Sequence, residues 1–197
     1  MKTAIAVLLV CTGLQAQNQP VRVMFVGDIM LDYGPGHRIT NGEDPFAPTA
    51  AVLHDADVTV GNLECAITRR GHWLDKPYVF KGPRAALPLL KKYFTAVSLA
   101  NNHAGDWGPE GFADELALLR EDGIPFFGGG DNVAAAAKPL IVEKQGKRIA
   151  LLAFCDYPPH SFAATSGRPG TAWLDEKTVI RAIRDARRRA DYVLLYL

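Results

Sequence analysis

The stretch VRVMFVGDIMLD, residues 21–32, is apolar from Val21 to Val26 except at Arg22, then breaks at Gly27 into a segment carrying two carboxylates, Asp28 and Asp32. A run this short and continuous reads as a strand covered on both faces, since a strand with one wet face would alternate. The same signature recurs along the chain. Residues 58–60 lead into Gly61-Asn62-Leu63-Glu64, 95–99 into Ala100-Asn101-Asn102-His103, 149–154 into Cys155-Asp156, and 192–197 form a fifth apolar run.

Helical patterns fit between these runs, at 48–54, 84–92, 109–122 and 175–189. In the third, Phe112, Leu116 and Leu119 recur at helical spacing. Pro109 suits a first turn, where its missing N–H costs nothing, and Gly123 with Pro125 ends the pattern. In the fourth, Val179, Ile180, Ile183 and Ala186 make an apolar stripe, with Arg181, Arg184 and Arg188 on the wetter side. A hairpin is expected where 139–142 and 149 onward flank a turn at 143–147. Residues 157–170, rich in Pro, Ser, Thr and Gly, read as a loop over the rim where the strands end. Strands alternating with helices predict an α/β fold.

The chain has 197 residues, 48% hydrophobic and 22% charged, which suits one domain with a sizeable core. A net charge of +1, with no basic patch interleaved with aromatics, excludes nucleic acid as the expected partner. Arg187, Arg188 and Arg189 suit the negative end of a helix dipole; binding of a polyanion is the rival reading. Residues 1–16 have Lys2, an apolar stretch and Ala16, the pattern of a secretory signal peptide, and the stretch is short for a membrane span. A buried first strand or an uncleaved anchor are the alternatives. The expected location is therefore secreted or periplasmic, within the cell envelope, with the domain covering 21–197. Cys65 and Cys155 both lie in apolar surroundings, compatible with one disulfide or with two buried thiols.

Asp28, Glu64, Asn102 and His103 all stand at or just beyond strand ends. In an open α/β sheet these ends share one rim, where ligands bind. Two carboxylates, an amide oxygen and an imidazole suit divalent Mn, Fe or Zn. Bringing two carboxylates together without a cation is costly. Each residue also has a structural explanation: a turn cap for Asp28, a partner in Arg69 or Arg70 for Glu64, an ordinary turn at Asn101-Asn102, and a satisfied polar role for His103. Asp32 and Asp156 fall in rim loops, and Asp106 is placed to cap the helix that follows. Lys76 and Lys81, in KPYVFKGP, are candidates for an anionic ligand. His160, in Pro-Pro-His-Ser, either touches substrate or faces water. The glycines at 34–36 and 128–130 have neither dinucleotide nor Walker spacing.

VGDIMLD at 26–32, VGNLECAIT at 60–68 and SLANNHAGDWGPEGFADEL at 98–116 resemble three ordered motifs of the bacterial capsule-synthesis CapA family, associated with poly-gamma-glutamate biosynthesis. The resemblance extends through 123–154. That family is similar to calcineurin-like metallophosphatases, which implies a two-sheet sandwich flanked by helices with a metal centre at its rim. It implies metal-ligand roles for Asp28, Glu64, Asn102 and His103, with Asn102 and His103 also catalytic. Met30 stands where the phosphatases have a histidine, which separates this chain from them. The resemblance further implies metal-assisted hydrolysis or transfer on an anionic envelope polymer or its precursor, alongside a membrane biosynthetic complex. The alternatives are a non-enzymatic polymer-binding or assembly factor and an inactive remnant. Family members continue into further histidine motifs, so a C-terminally incomplete domain is expected at Leu197.

Overall fold

The computed structural model describes residues 20–157 and 159–197. The expected signal peptide at 1–16 lies outside the described residues. The elements run β1 (Val23–Ile29), α1 (Tyr33–Thr40), α2 (Ala50–Leu53), β2 (Val58–Leu63), α3 (Leu87–Tyr93), β3 (Ala96–Ser98), α4 (Gly108–Glu121), β4 (Phe126–Phe127), β5 (Gly129–Gly130), α5 (Val133–Ala136), β6 (Leu140–Lys144), β7 (Lys147–Ala153), β8 (Gly170–Thr171), α6 (Glu176–Arg189) and β9 (Tyr192–Tyr196).

Two principal sheets form. The first is parallel throughout, in the order β1-β2-β3-β4; the second has the order β6-β7-β9, with β6 antiparallel and β9 parallel to β7. A separate two-stranded piece pairs β5 with β8, antiparallel. Their facing sides share a core, with Val58, Val60, Ala96 and Phe127 from the first sheet meeting Ile149, Leu151 and Ala153 from β7. The alternate residues of β7, Ala150 and Leu152, point outward onto Ala136 of α5 and Ala182 and Ala186 of α6. On the other side of the first sheet, Ile29, Leu63, Val97 and Leu99 pack with Leu90 of α3 and Phe112, Leu116 and Leu119 of α4. The result is the expected two-sheet sandwich flanked by helices. Every residue of β2 is buried, which is why its sequence does not alternate.

Two helices, α1 and the four-residue α5, have no counterpart in the sequence reading. The segment with Gly34 and Gly36 is α1, started by Asp32, whose Oδ1 accepts from Tyr33 N at 2.7 Å. Its glycines and Pro35 hide a helix that side-chain capping and burial of Ile39 hold in place. The glycines at 128–130 are a packing device. Gly128 has φ +75°, and a Cβ there would lie 2.8 Å from the Cβ atoms of both Ala100 and Ala153. Only a residue without a side chain lets the backbone pass between the two sheets here. Cys65 and Cys155 are free, buried thiols, which decides between the two readings of that pair.

Candidate functional site

Parallel order and register bring the strand ends together. Asp28 on β1 stands opposite Asn62 on β2, and Asn62 stands opposite Ser98 on β3. Asn62 is 7% exposed and is the hub of the polar cluster at this rim. Its Nδ2 donates to Asp28 Oδ1 at 2.9 Å and to Glu64 Oε2 at 3.1 Å. Its Oδ1 accepts from Asn101 Nδ2 at 2.9 Å, which also donates to the Leu63 carbonyl. Asn101 Oδ1 in turn accepts from the His103 backbone N–H at 2.9 Å. One amide thus clamps two carboxylates, and a second amide sets the turn that presents the histidine.

Burial, followed by the neighbouring Asp28 carboxylate, pushes the Glu64 pKa up to about 7. Arg69 and Arg70 do not relieve this; they face Asp114, at 3.2 and 3.9 Å. His103 Nε2 lies 3.9 Å from Glu64 Oε1. The opposite ring nitrogen, Nδ1, is 2.8 Å from Asp106 Oδ2. Such a contact fixes the tautomer and leaves Nε2 directed at the carboxylate pair. The Phe80 ring lies against the imidazole with centroids 4.2 Å apart.

Asp106 therefore has a different role from the one its position suggests. Trp107 is the residue at the N-cap of α4, and it makes no side-chain cap bond. Asp106 is fully buried and gathers His103 Nδ1, the Phe80 backbone N–H at 2.7 Å and Lys76 Nζ at 2.5 Å, the last as an ion pair without hydrogen-bond geometry. Lys76 also donates to the Asn102 carbonyl at 2.9 Å. This candidate for an anionic ligand is thus engaged inside the protein, neutralising the carboxylate behind His103. Lys81 sits with Nζ 3.7 Å from the Trp107 ring centroid, and its backbone N–H binds Asp32 Oδ2 at 2.8 Å. His160 is exposed and packs edge-on against Trp173 at 4.5 Å, and Asp156 is exposed. The Asn102 side chain makes no hydrogen bond among the described residues, so its contribution here is the carbonyl that holds Lys76.

The donors fit a divalent cation in kind. Asp28 and Glu64 press two carboxylates together, one of them with a strongly raised pKa, and His103 offers the nitrogen not taken by Asp106. Among the described residues, no three His, Cys, Asp or Glu side chains already surround one point. Tyr196, from the second sheet, completes the surroundings: burial first, then Asp28 and Glu64, raises its pKa, and its hydroxyl donates to the Val26 carbonyl at 2.7 Å. Asn62, Asn101 and Tyr196 escape a reading of the sequence because each lies within or beside an apolar strand, where polarity carries no positional signal.

Residues 22–197 match the model of the family described as bacterial capsule synthesis protein PGA_cap. The chain belongs to that family. It is 30% identical over 177 residues to the PGA biosynthesis protein CapA of Bacillus subtilis, an alignment covering 87% of this chain and 47% of that protein. It is 25% identical to the capsule biosynthesis protein CapA of Bacillus anthracis, over 87% of this chain and 43% of the relative. The chain thus spans a little under half the length of these PGA_cap relatives. In fold it is similar to a hypothetical protein from Thermus thermophilus, with a TM-score of 0.50 and 21% identity over 89% of this chain and 56% of the other. No helix among the described residues is long and apolar enough to cross a membrane.

Proposed function

We propose that this chain carries part of a cation-dependent centre that acts, in the cell envelope, on an anionic capsule polymer or its precursor by hydrolysis or group transfer. The supporting observation is the Asp28–Glu64 carboxylate pair, clamped by Asn62 and faced by the oriented Nε2 of His103. Asp28, Glu64 and His103 would hold the divalent cation, Mn, Fe or Zn, with Asn102 beside them. When bound, such a cation neutralises developing charge and lowers the pKa of water. The chain's own residues do the positioning. Asn62 and Asn101 fix the carboxylates and the His103 turn, and Asp106, its charge balanced by Lys76, accepts from the imidazole N–H at Nδ1. Lys81, one residue beyond the ring that packs on His103, supplies positive charge for an anionic substrate. The leader-like residues 1–16 support delivery to the envelope, and a membrane biosynthetic complex is the natural partner there.

The test is calorimetric titration of the chain with manganese, alongside Asp28→Asn and Glu64→Gln. We expect binding in the parent and its loss in both variants, with the folded circular dichroism spectrum retained. Equal affinity in all three would overturn the metal assignment. Incubating the manganese-loaded chain with polyglutamate and measuring polymer length then separates chemistry from assembly: binding with unchanged length identifies a non-enzymatic polymer-binding factor.

A further inference from the structure

The outer face of the second sandwich layer carries a groove of about 800 Å³ between α5 and α6, whose lining includes none of Asp28, Glu64, Asn102 and His103. It is lined by the apolar Val133, Ala137 and Ala182 together with Lys138, Lys177, Arg181, Arg184 and Arg188. Five cations line the groove against one carboxylate, Asp185. That carboxylate is already taken, by Arg188 at 2.9 Å and Arg189 at 3.2 Å. Lys138, Lys177, Arg181 and Arg184 have no acidic partner within 4 Å among the described residues. The whole chain has a formal charge of only +1, so this concentration is not a by-product of a basic protein.

The arrangement is also directional. Residues 177, 181, 184 and 188 recur every three or four positions and so form one stripe along α6, about 16 Å long at the helical rise. The apolar stripe of the same helix, with Ala182 and Ala186, is spent on the second sheet. The cationic stripe is therefore surplus to packing. Cys155, just past β7, pairs with Trp173, which precedes α6, so the Lys177 end of the stripe lies at the level of the rim. A helix C-terminus needs one or two cations for its dipole; it gives no reason for Lys177 and Arg181 in the first half, nor for Lys138, just past α5.

We propose that this groove binds an extended polycarboxylate chain, holding a stretch of anionic polymer along α6 away from the carboxylate pair. The inference rests on the anionic-polymer reading above and adds a second, non-catalytic contact to it. A linear polyanion matches a walled groove with charges repeating along one axis; a flat anionic bilayer would meet only its upper edges.

Fluorescence anisotropy of labelled polyglutamate with the whole chain tests it. Arg181→Glu/Arg184→Glu should weaken binding about tenfold or more at low salt and reduce its salt dependence. Lys144→Glu/Lys147→Glu, which changes net charge equally on the β6–β7 hairpin, should leave affinity within twofold or so of the parent. Arg181→Gln/Arg184→Gln serves if charge reversal disturbs folding. Equal weakening in both double variants would overturn the groove in favour of a general charge effect. Parent binding to phosphatidylserine vesicles but not to polyglutamate would overturn it in favour of a membrane surface. If the parent binds polyglutamate and only Lys81→Glu weakens it, the groove assignment falls while the anionic-polymer reading stands. If the parent binds neither, both fall, and manganese titration still reports separately on the carboxylate pair.

Discussion

At the scale of single residues, the site is governed by how buried charge is compensated. Asp106 has no exposed surface, and Lys76 is its only cationic neighbour besides the imidazole among the described residues. Lys76→Met would strand that carboxylate, and we expect a loss of about 3–5 kcal/mol in urea unfolding. His103→Ala leaves Asp106 its lysine and the Phe80 N–H, so a smaller loss of about 1–3 kcal/mol is expected. Sequence reasoning places His103 beyond a strand end, where its loss leaves no large core cavity and so carries no large packing cost. Its burial against Phe80 makes that cost measurable, although still below the roughly 2–5 kcal/mol expected for Leu99→Ala in the core. Glu115 gives a pH prediction. It is fully buried, accepts from Ile67 N at 2.9 Å, and burial pushes its pKa up to about 8. Between its ordinary value near 4.5 and about 8, the folded chain holds a proton that the unfolded chain has lost. This contribution to stability therefore falls as pH rises through that window and is level above it. Glu115→Gln keeps the acceptor and should flatten the dependence, seen as thermal melts that shift less than the parent's between about pH 5 and about pH 9.

At the scale of elements, small residues decide how closely the layers approach. The backbone at Gly128 connects the edge of the first sheet to β5 while passing between Ala100 and Ala153. Gly128→Ala adds a methyl where neighbours already stand at 2.8 Å and imposes a left-handed conformation on a residue with a side chain. We expect a loss of about 1–3 kcal/mol, with hydrogen exchange accelerated in β3 and β7 rather than in α6. Helices α4 and α6 were legible because their apolar periods are complete. The helix α1 was not, since Gly34, Pro35 and Gly36 carry poor helical propensity, and the Asp32 cap and the packing of Ile39 override it. The short strands β4, β5 and β8 have two residues each, too few for any period to register.

At the scale of the whole molecule, the two sheets meet where the candidate site lies. Tyr196 on β9 reaches across to the Val26 carbonyl on β1 and packs near Phe25, with ring centroids 5.7 Å apart. Tyr196→Phe keeps the ring contact and removes the bond. A loss of about 1 kcal/mol is expected, together with faster exchange along β1 and β9, and no change in far-ultraviolet circular dichroism. An unchanged melting curve would mean that ring packing alone holds the sheets in register. By itself, the sequence determined where the strands lie, the two long helices, the hairpin and the placement of Asp28, Glu64 and His103 at or beyond strand ends, because backbone preference and burial leave a trace in adjacent residues; it did not determine that the apolar runs of β1 and β9, expected to be covered on both faces, are sheet edges with Phe25, Tyr192 and Leu195 exposed. Only the tertiary structure decided that Asn62 clamps the carboxylates, that Asp106 orients His103 rather than capping α4, that Lys76 is an internal counter-charge, and that α6 lines one wall of a cationic groove. Each of these depends on sheet order and register, which join residues tens of positions apart, and no local pattern records which distant side chain a buried polar group will meet.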